Sequence, residues 1–395
     1  MVNLAVVHGG GPTPVINSSL YGVVKAARES GRIERVYAAI GGTEGILKER
    51  FLDLLSFPEE KLKLLLKTPA SAIGTSRFPL SAEDYKAMVP VFKKHDIKYV
   101  LLNGGNGTMD TCNKIYHACE GEDILVAGIP KTIDNDIIGT DHTPGFGSAA
   151  RYVIETVREV GADVRAMPEH ICIIETMGRH CGWLAASSAL ARRRRGDPPD
   201  LIYLPETPFD MEEFLETASS LYRKQKGVVV VVSEGIKDKE GNSITTSRQL
   251  RGRTLFTGGG ASRAMADEMV KRHGIKTRTE VPGLAGRNCM AQQSSVDREE
   301  AVQTGEEAVR TVLRGESGVM IGCERIPDNG NYKLRFVPVP LDQIAIEGRL
   351  VPEKYIDVPN HDVTDEFLNW CRPLIGDELQ EYINFESIYE GENGL

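Results

Sequence analysis

The sequence predicts an α/β protein of two domains, each built on a parallel sheet. Short runs of β-branched residues alternate with amphipathic helical stretches, which is typical of parallel sheets covered by helices. At 395 residues the chain is also longer than one hydrophobic core normally serves. Several predicted strands end directly in glycine, proline or carboxylate clusters, so their polar residues lie where open α/β sheets bind ligands.

The elements follow from these runs in chain order. Strands are predicted at the β-branched runs, which span residues 4–9, 98–105, 124–130, 170–176, 201–205 and 227–235. Amphipathic spacing predicts helices over 15–30, opened by "GGGPTP", and over 147–167, opened by "TDHTPGFGS". The polar, glycine-rich stretch 236–260 is expected to loop over a surface.

Composition excludes several classes of protein. A net charge of −9 argues against a general nucleic-acid binder, because phosphate backbones require concentrated Lys and Arg. The sequence has no apolar run of membrane-spanning length, and its start "MVNLAVVHGGG" has no basic signal region, so we expect a cytoplasmic protein with no membrane partner. The 7 cysteines form no CxxC pair, which disfavours a zinc site or a disulfide scaffold.

Two glycine-rich loops are candidate phosphate sites. "HGGGPTPVIN" contains Gly10, and "NGGNGTMDT" contains Gly104, Gly105, Gly107 and Thr108. Glycines between a strand and a helix let backbone N–H groups approach phosphate oxygens, and the helix N-terminus adds a favourable partial charge. Neither loop matches the P-loop or GxGxxG pattern, so a plain tight turn remains the alternative for each.

The stretch "PKTIDND" strengthens the phosphate interpretation. Asp134 and Asp136 are two residues apart on a segment leaving a strand, so they can point to the same side and converge with Asn106. Such oxygen donors suit Mg²⁺, with one carboxylate spared as a base, although a solvated loop is the simpler alternative. Lys131 and Thr132 add hydrogen-bond donors for phosphate beside the carboxylates.

Further candidate residues follow other strands. "TMGRHCGW" places Gly178 and Arg179 at one strand end, and "SEG" places Glu234 at another. Guanidinium groups hold phosphates through paired hydrogen bonds, and the candidate clamps are Arg77, Arg278 and Arg287.

Taken together, these motifs resemble the phosphofructokinase family, in particular its bacterial branch usually described as diphosphate-dependent. "GGNGT", "GIPKTIDNDI", "TDHTPGFGSAARY", "ETMGRHCGWLAA", "DLIYLPETPFD" and "VVVVVSEGI" carry the resemblance, which runs from about residue 4 to "RPLIG". It implies two Rossmann-like parallel-sheet domains with the active site in the cleft between them. Residues 1–145 plus about 255–325 would form the donor-phosphate domain, and 146–254 plus about 326–395 the sugar-phosphate domain.

The resemblance also implies roles for the donor side. Asp134 would take the proton from the sugar 1-hydroxyl, while Thr132 and Asp136 position the transferred phosphoryl group and Mg²⁺. Asn106 stands where many relatives have a metal-binding Asp. Lys131 would act at the reacting phosphates, and Gly10, Arg77 and Gly107 would lie against the donor.

On the acceptor side, the resemblance assigns the sugar to Met177, Gly178, Arg179 and Glu234. Arg278 and Arg287 would bind the anionic group at the far end of the sugar. His170 occupies a position where many relatives have an Arg that crosses the subunit interface. Since acceptor sites of the family lie at interfaces, we expect a homodimer or homotetramer.

The donor is ATP or diphosphate, and Gly107 favours ATP. Diphosphate-using relatives typically carry Asp there, whose carboxylate would occupy and repel the space needed by the α-phosphate of ATP. A lysine at the position of Lys131 is usual in diphosphate-using relatives, but a lysine there does not exclude ATP.

The acceptor is fructose 6-phosphate or another anionic ketose. Relatives have a sequence resembling "ELSLLQRC" where this chain reads "RTEVPGLAGRNCMAQ", which makes sedoheptulose 7-phosphate and 6-sulfofructose alternatives. A catalytically inactive, sugar-phosphate-binding regulatory subunit is the alternative of another class. The intact Thr132, Asp134, Asp136 and Arg179 argue against it, since a protein that only binds has no use for a base.

Overall fold

The protein is described here by a computed structural model. It describes residues 2–76, 78–194, 196–244, 247–250, 253–256, 258–328, 331–344, 348–383 and 385.

The strands and helices of these residues alternate along the chain. The strands are β1 (Val2–His8), β2 (Ile33–Ala39), β3 (Phe51–Asp53), β4 (Ile97–Gly104), β5 (Leu125–Pro130), β6 (His170–Thr176), β7 (Leu201–Tyr203), β8 (Gly227–Ser233), β9 (Ser247–Leu250), β10 (Arg253–Phe256), β11 (Thr277–Glu280), β12 (Val319–Arg325), β13 (Leu334–Pro340), β14 (Ile356–Asp357) and β15 (Asp362–Val363). The helices are α1 (Ile16–Ser30), α2 (Thr43–Leu47), α3 (Glu59–Leu62), α4 (Ala82–Lys94), α5 (Asn106–Ala118), α6 (Phe146–Ala166), α7 (Trp183–Ser187), α8 (Met211–Gln225), α9 (Gly260–His273), α10 (Gly283–Asn288), α11 (Ser295–Leu313) and α12 (Asp365–Cys371).

Two sheets organise these elements. The larger has the strand order β13-β12-β5-β4-β1-β2-β3 and is parallel except at its edges, where β13 and β3 run antiparallel to their neighbours. The smaller has the order β11-β6-β8-β7 and is parallel throughout. Its central strands β6 and β8 are apolar runs buried on both faces, as strands covered by helices on both sides must be.

All six predicted strands and both predicted helices are present in the structure. β2 and β13 were not predicted, because the sequence patterns of both are mixed. β2 exposes Glu34 and Arg35, whereas β13 carries Pro338 and Pro340, which a strand tolerates at a sheet edge. The expected surface loop 236–260 is wrong in part, since β9 and β10 form an antiparallel pair within it.

The two sheets divide the chain differently from the boundaries that the resemblance implies. β11 pairs with β6 of the smaller sheet, although 255–325 was expected in the donor domain. β13 pairs with β12 of the larger sheet, although it was expected in the sugar domain. Helix α11 packs on α1, and the two helices approach closely because Gly22 and Gly305 have no side chains at the contact.

Two arginines contact the C-terminal residues. Arg193, in the basic stretch 191–200, donates to the carbonyl of Leu379 at 2.5 Å, and the Arg158 guanidinium of α6 lies 4.4 Å from the ring centre of Tyr382. Among the described residues, no helix combines the length and apolar character that a membrane crossing requires.

Candidate active site

A cavity of about 760 Å³ lies where the carboxyl ends of the two sheets face each other. One wall comes from the loops after β1, β4 and β5, which are neighbours in the larger sheet. The opposite wall comes from the loops after β6 and β8 of the smaller sheet. This is the position at which open parallel sheets bind ligands.

Most of the predicted site residues line this cavity. They are Gly10, Gly105, Asn106, Gly107, Thr108, Lys131, Thr132, Asp134, Asp136, Met177, Arg179, Glu234 and Arg287. Their convergence follows from the parallel strand order, which brings loops distant in sequence to one edge of each sheet. What each residue does chemically stays a prediction.

The glycines of the phosphate loops serve two different purposes. A Cβ at Gly104 would lie 2.2 Å from Thr108 Oγ1, and one at Gly9 would lie 2.3 Å from the same atom, so both glycines permit close packing against α5. A Cβ at Gly107, in the first turn of α5, would meet nothing within 4 Å. Gly107 therefore leaves open space in the cavity, whereas Gly104 lies behind the cavity wall and allows Thr108 to pack closely against the backbone.

Lys131 joins the first glycine loop to the end of β5. Its side chain is 2% exposed, and Nζ donates to the carbonyl of Gly9 at 3.2 Å and to that of Gly11. Its backbone N–H donates to Gly104. The ammonium group thus fixes the glycine loop and brings a positive charge to the cavity wall.

The carboxylates lie on a turn in which buried and partly exposed residues alternate. Lys131, Ile133 and Asn135 are buried, whereas Thr132, Asp134 and Asp136 are partly exposed and line the cavity. We call residues 132–136 the carboxylate turn. Thr132 Oγ1 accepts the N–H of Asp134 at 3.1 Å, and Asn135 adopts a left-handed conformation with φ 55°. Both carboxylates therefore face the cavity from one side, as the two-residue spacing predicted.

The environment of Asp134 suits a general base. Burial raises the pKa of this carboxyl to about 7, together with the charges of Asp136 and Glu234 and against those of Lys131 and Arg287. A base whose pKa lies near neutral pH is partly ionised and still basic enough to accept a proton. Glu234 itself has a raised pKa, chiefly because it is buried.

Asp136 and Asn106 offer oxygen atoms that fit Mg²⁺. Asn106 Nδ2 donates to the backbone carbonyl of Asp136 at 3.4 Å, which leaves Asn106 Oδ1 buried without a hydrogen-bond partner. Burial raises the pKa of Asp136, while hydrogen bonding from Asn106 opposes that shift. Among the described residues, no three His, Cys, Asp or Glu side chains group as a metal site. A magnesium ion here would take its other ligands from water and substrate phosphates, as Mg²⁺ commonly does.

The loop after β6, residues 177–182, approaches the carboxylate turn directly. Gly178 has φ 129°, and a Cβ there would lie 2.5 Å from the carbonyl oxygen of Cys181, so the sharp bend requires glycine. Cys181 Sγ donates to the carbonyl of Asp134 at 3.2 Å. Glu234 continues from β8, and its N–H donates to Thr176 at the end of β6.

Five predicted residues are not among those that line the cavity: Gly104 and Gly178 belong to the segments around it, and Arg278, His170 and Arg77 remain. Arg278 is exposed on the edge strand β11, and His170 is buried at the opposite end of β6 from the cavity, so this chain brings neither into its own site. Arg287 reaches the cavity from α10, 3.2 Å from where a Cβ of Gly11 would lie. Arg77 lies outside the described residues.

An apolar wall of the cavity was not predicted from the sequence. Phe78, Leu80 and Tyr85 line the same cavity as Gly107 and Thr111 of α5. Phe78 is 46% exposed. The sequence signal for this wall was the pair of apolar residues Phe78 and Leu80, which flank Pro79 directly after Arg77.

The phosphofructokinase family model matches residues 3–312. The chain belongs to the phosphofructokinase family. A pyrophosphate–fructose 6-phosphate 1-phosphotransferase from Rhodospirillum rubrum is 37% identical over 386 residues, covering 94% of each chain. A sulfofructose kinase from Alkalicoccus urumqiensis is 34% identical, covering 90% of this chain and 92% of its own. The crystal structure of a pyrophosphate-dependent phosphofructokinase from Marinobacter aquaeolei has a TM-score of 0.86 at 31% identity, covering 97% of this chain and 94% of that one.

Membership of the phosphofructokinase family confirms the predicted family, the two-domain α/β fold and the enzyme class, a phosphotransferase.

Proposed function

We propose that this enzyme transfers a phosphoryl group from ATP to the 1-hydroxyl of an anionic ketose, with fructose 6-phosphate as the first acceptor to test. The observation that carries the choice of ATP is the open space at Gly107. Phe78, Leu80 and Tyr85 line the same cavity and provide an apolar surface suited to a nucleobase. Diphosphate needs neither the space nor the wall.

In this proposal Asp134 accepts the proton of the 1-hydroxyl, and Lys131 and Arg179 neutralise charge on the transferred group. Thr132 orients that group by a hydrogen bond. Phosphoryl transfer depends on positioning and charge neutralisation more than on covalent chemistry, and these residues supply both. Mg²⁺ held by Asn106 and Asp136 would add charge stabilisation when bound.

Diphosphate is the second candidate donor. It is favoured by the names of the Rhodospirillum and Marinobacter proteins. It is also compatible with Lys131, a compact positive charge at the cavity wall.

A second acceptor, 6-sulfofructose, is favoured by the similarity to a sulfofructose kinase. The segment 278–292, which differs from the relatives' sequence, contributes Arg287 to the cavity. Arg278 and His170 lie away from the cavity. A sulfonate carries less negative charge than a phosphate monoester, so it requires fewer cationic ligands. We also propose a cytoplasmic homodimer or homotetramer.

A coupled assay with Mg²⁺ tests the proposal by crossing ATP and diphosphate against fructose 6-phosphate, sedoheptulose 7-phosphate and 6-sulfofructose. We expect turnover with ATP, and Gly107→Asp should lower kcat/KM for ATP far more than for diphosphate. Gly107→Ala is the matched control, since it adds bulk without charge. Equal losses with both donors would refute the donor argument. Absence of turnover with every pair would instead favour the inactive regulatory subunit.

A further inference from the structure

Residues 348–351 cross the molecule between the two walls of the active site, and we call them the crossing segment. A Cβ at Gly348 would lie 3.2 Å from Asp136 Oδ2, so the segment lies directly against this carboxylate. The N–H of Arg349 donates to the carbonyl of Asp136 at 2.7 Å. No motif of the sequence marks this segment, which follows the carboxylate turn by more than two hundred residues.

The side chain of Arg349 holds the carboxylate turn from behind. Its guanidinium donates to the carbonyl of Asn135 at 3.2 Å. It also donates to those of Thr140 at 2.7 Å and Asp141 at 2.8 Å. Asn135 lies between the two carboxylates in a left-handed conformation, which asparagine adopts more readily than most other non-glycine residues. The arginine therefore contacts the backbone of the residue that links Asp134 to Asp136.

The same segment contacts the acceptor wall. The Arg349 guanidinium lies 4.6 Å from the ring centre of Trp183, whose Nε1–H donates to the Arg349 carbonyl at 3.0 Å. Glu206 Oε1 accepts the N–H of Val351 and that of Gly182, each at 2.9 Å. Gly182 ends the loop that contains Arg179, and Trp183 directly follows it. The crossing segment thus connects the carboxylate turn with the loop after β6, residues 177–182, which we call the acceptor loop.

We propose that Arg349 is a positioning residue for phosphoryl transfer, holding the carboxylate turn and the acceptor loop in one fixed relation. A guanidinium is suited to this task because its planar donors can reach several carbonyls at once, which an ammonium cannot do in the same geometry. A small displacement of reacting groups costs a large factor in rate. The inference rests on the proposed function for its kinetic test and on geometry alone for its structural test.

The kinetic test compares Arg349→Ala with Arg325→Ala. Arg325 donates to the Asp141 carboxylate at 2.9 Å and stacks on Trp370, but within the described part of the chain it makes no hydrogen bond to the carbonyls of the carboxylate turn. We expect Arg349→Ala to lower kcat about a hundredfold with less than about threefold change in KM for ATP. Arg325→Ala should lose stability yet keep kcat within about threefold. Guanidinium ion should restore part of the activity of Arg349→Ala, whereas sodium chloride at equal ionic strength should not.

Hydrogen exchange gives a readout that does not depend on turnover. Backbone amides of residues 132–138 should exchange faster in Arg349→Ala, slow again with guanidinium, and remain near wild type in Arg325→Ala, whose contact with the turn region is at Asp141. Arg349→Lys keeps the charge and provides a variant that folds; it should show an intermediate kcat and intermediate exchange. Unchanged exchange in 132–138, or equal kcat losses in the two alanine variants without rescue, would overturn the inference. An inactive wild-type enzyme would refute the proposed function and leave the exchange test decisive for Arg349.

Discussion

Replacing the proposed base by Asn should stabilise the enzyme at alkaline pH while it abolishes most turnover. The pKa of Asp134 is raised from its ordinary value of 3.8 to about 7, so the folded protein binds this proton more tightly than the unfolded chain does. The folded state is therefore penalised progressively as pH rises from 4 to 7 and the carboxyl must ionise. Asp134→Asn has nearly the same shape and removes that penalty.

The magnitude follows from the two pKa values. Linkage between protonation and folding lowers the free energy of unfolding by about 2 kcal/mol at pH 5 and by about 4 kcal/mol at pH 8. Asp134 borders the cavity, whose water moderates the effect, so we expect roughly half of these values, that is, about 1 and about 2 kcal/mol. Turnover should fall by about a thousandfold or more, because general-base catalysis contributes on that scale.

Thermal unfolding at pH 5, 6.5 and 8 measures the stability difference, and the coupled assay measures kcat on the same samples. Asp210→Asn is the matched control, because Asp210 caps α8 and its hydrogen bond with Lys239 lowers its pKa. That control should lose stability at pH 8, with a smaller loss as pH falls. If Asp134→Asn were no more stable than wild type at pH 8, or if its advantage were constant with pH, the reasoning would be refuted.

Three further predictions concern the same cavity. The acidic limb of the kcat profile should move to lower pH in Glu234→Gln, because the charge of Glu234 raises the pKa of Asp134. It should move to higher pH in Lys131→Met, because the charge of Lys131 lowers that pKa. Acidic limbs that move in the same direction in both variants would contradict this. Asn106→Asp should lower the Mg²⁺ concentration for half-maximal activity, since it adds a carboxylate where an amide oxygen lies unpartnered; an unchanged titration would remove Asn106 from the metal site. Gly104→Ala should cost about 1–3 kcal/mol of stability by overpacking Thr108, whereas Gly107→Ala should gain about 0.5–1 kcal/mol in an open helical position. Thermal unfolding of both variants checks this pair, and equal effects would contradict it.

Residue patterns alone were enough to predict the enzyme family and most of the residues that line the cavity. Glycine loops and carboxylates that directly follow β-branched strands indicate a phosphate-binding edge, and parallel strands bring their carboxyl ends to one edge whatever the details of packing. The two-residue spacing of Asp134 and Asp136 likewise predicted their common direction, because alternation along an extended segment is local geometry.

The residues that hold the cavity loops in place could be identified from the folded chain and not from its patterns. Arg349 meets the carboxylate turn through a crossing segment far along the chain, and contacts between backbone carbonyls and a distant guanidinium leave no periodic pattern in a sequence. Sequence also could not separate Gly104 from Gly107, since both belong to one glycine-rich motif. Space around a missing Cβ depends on neighbouring elements, here Thr108 packed against one glycine and an open cavity beside the other.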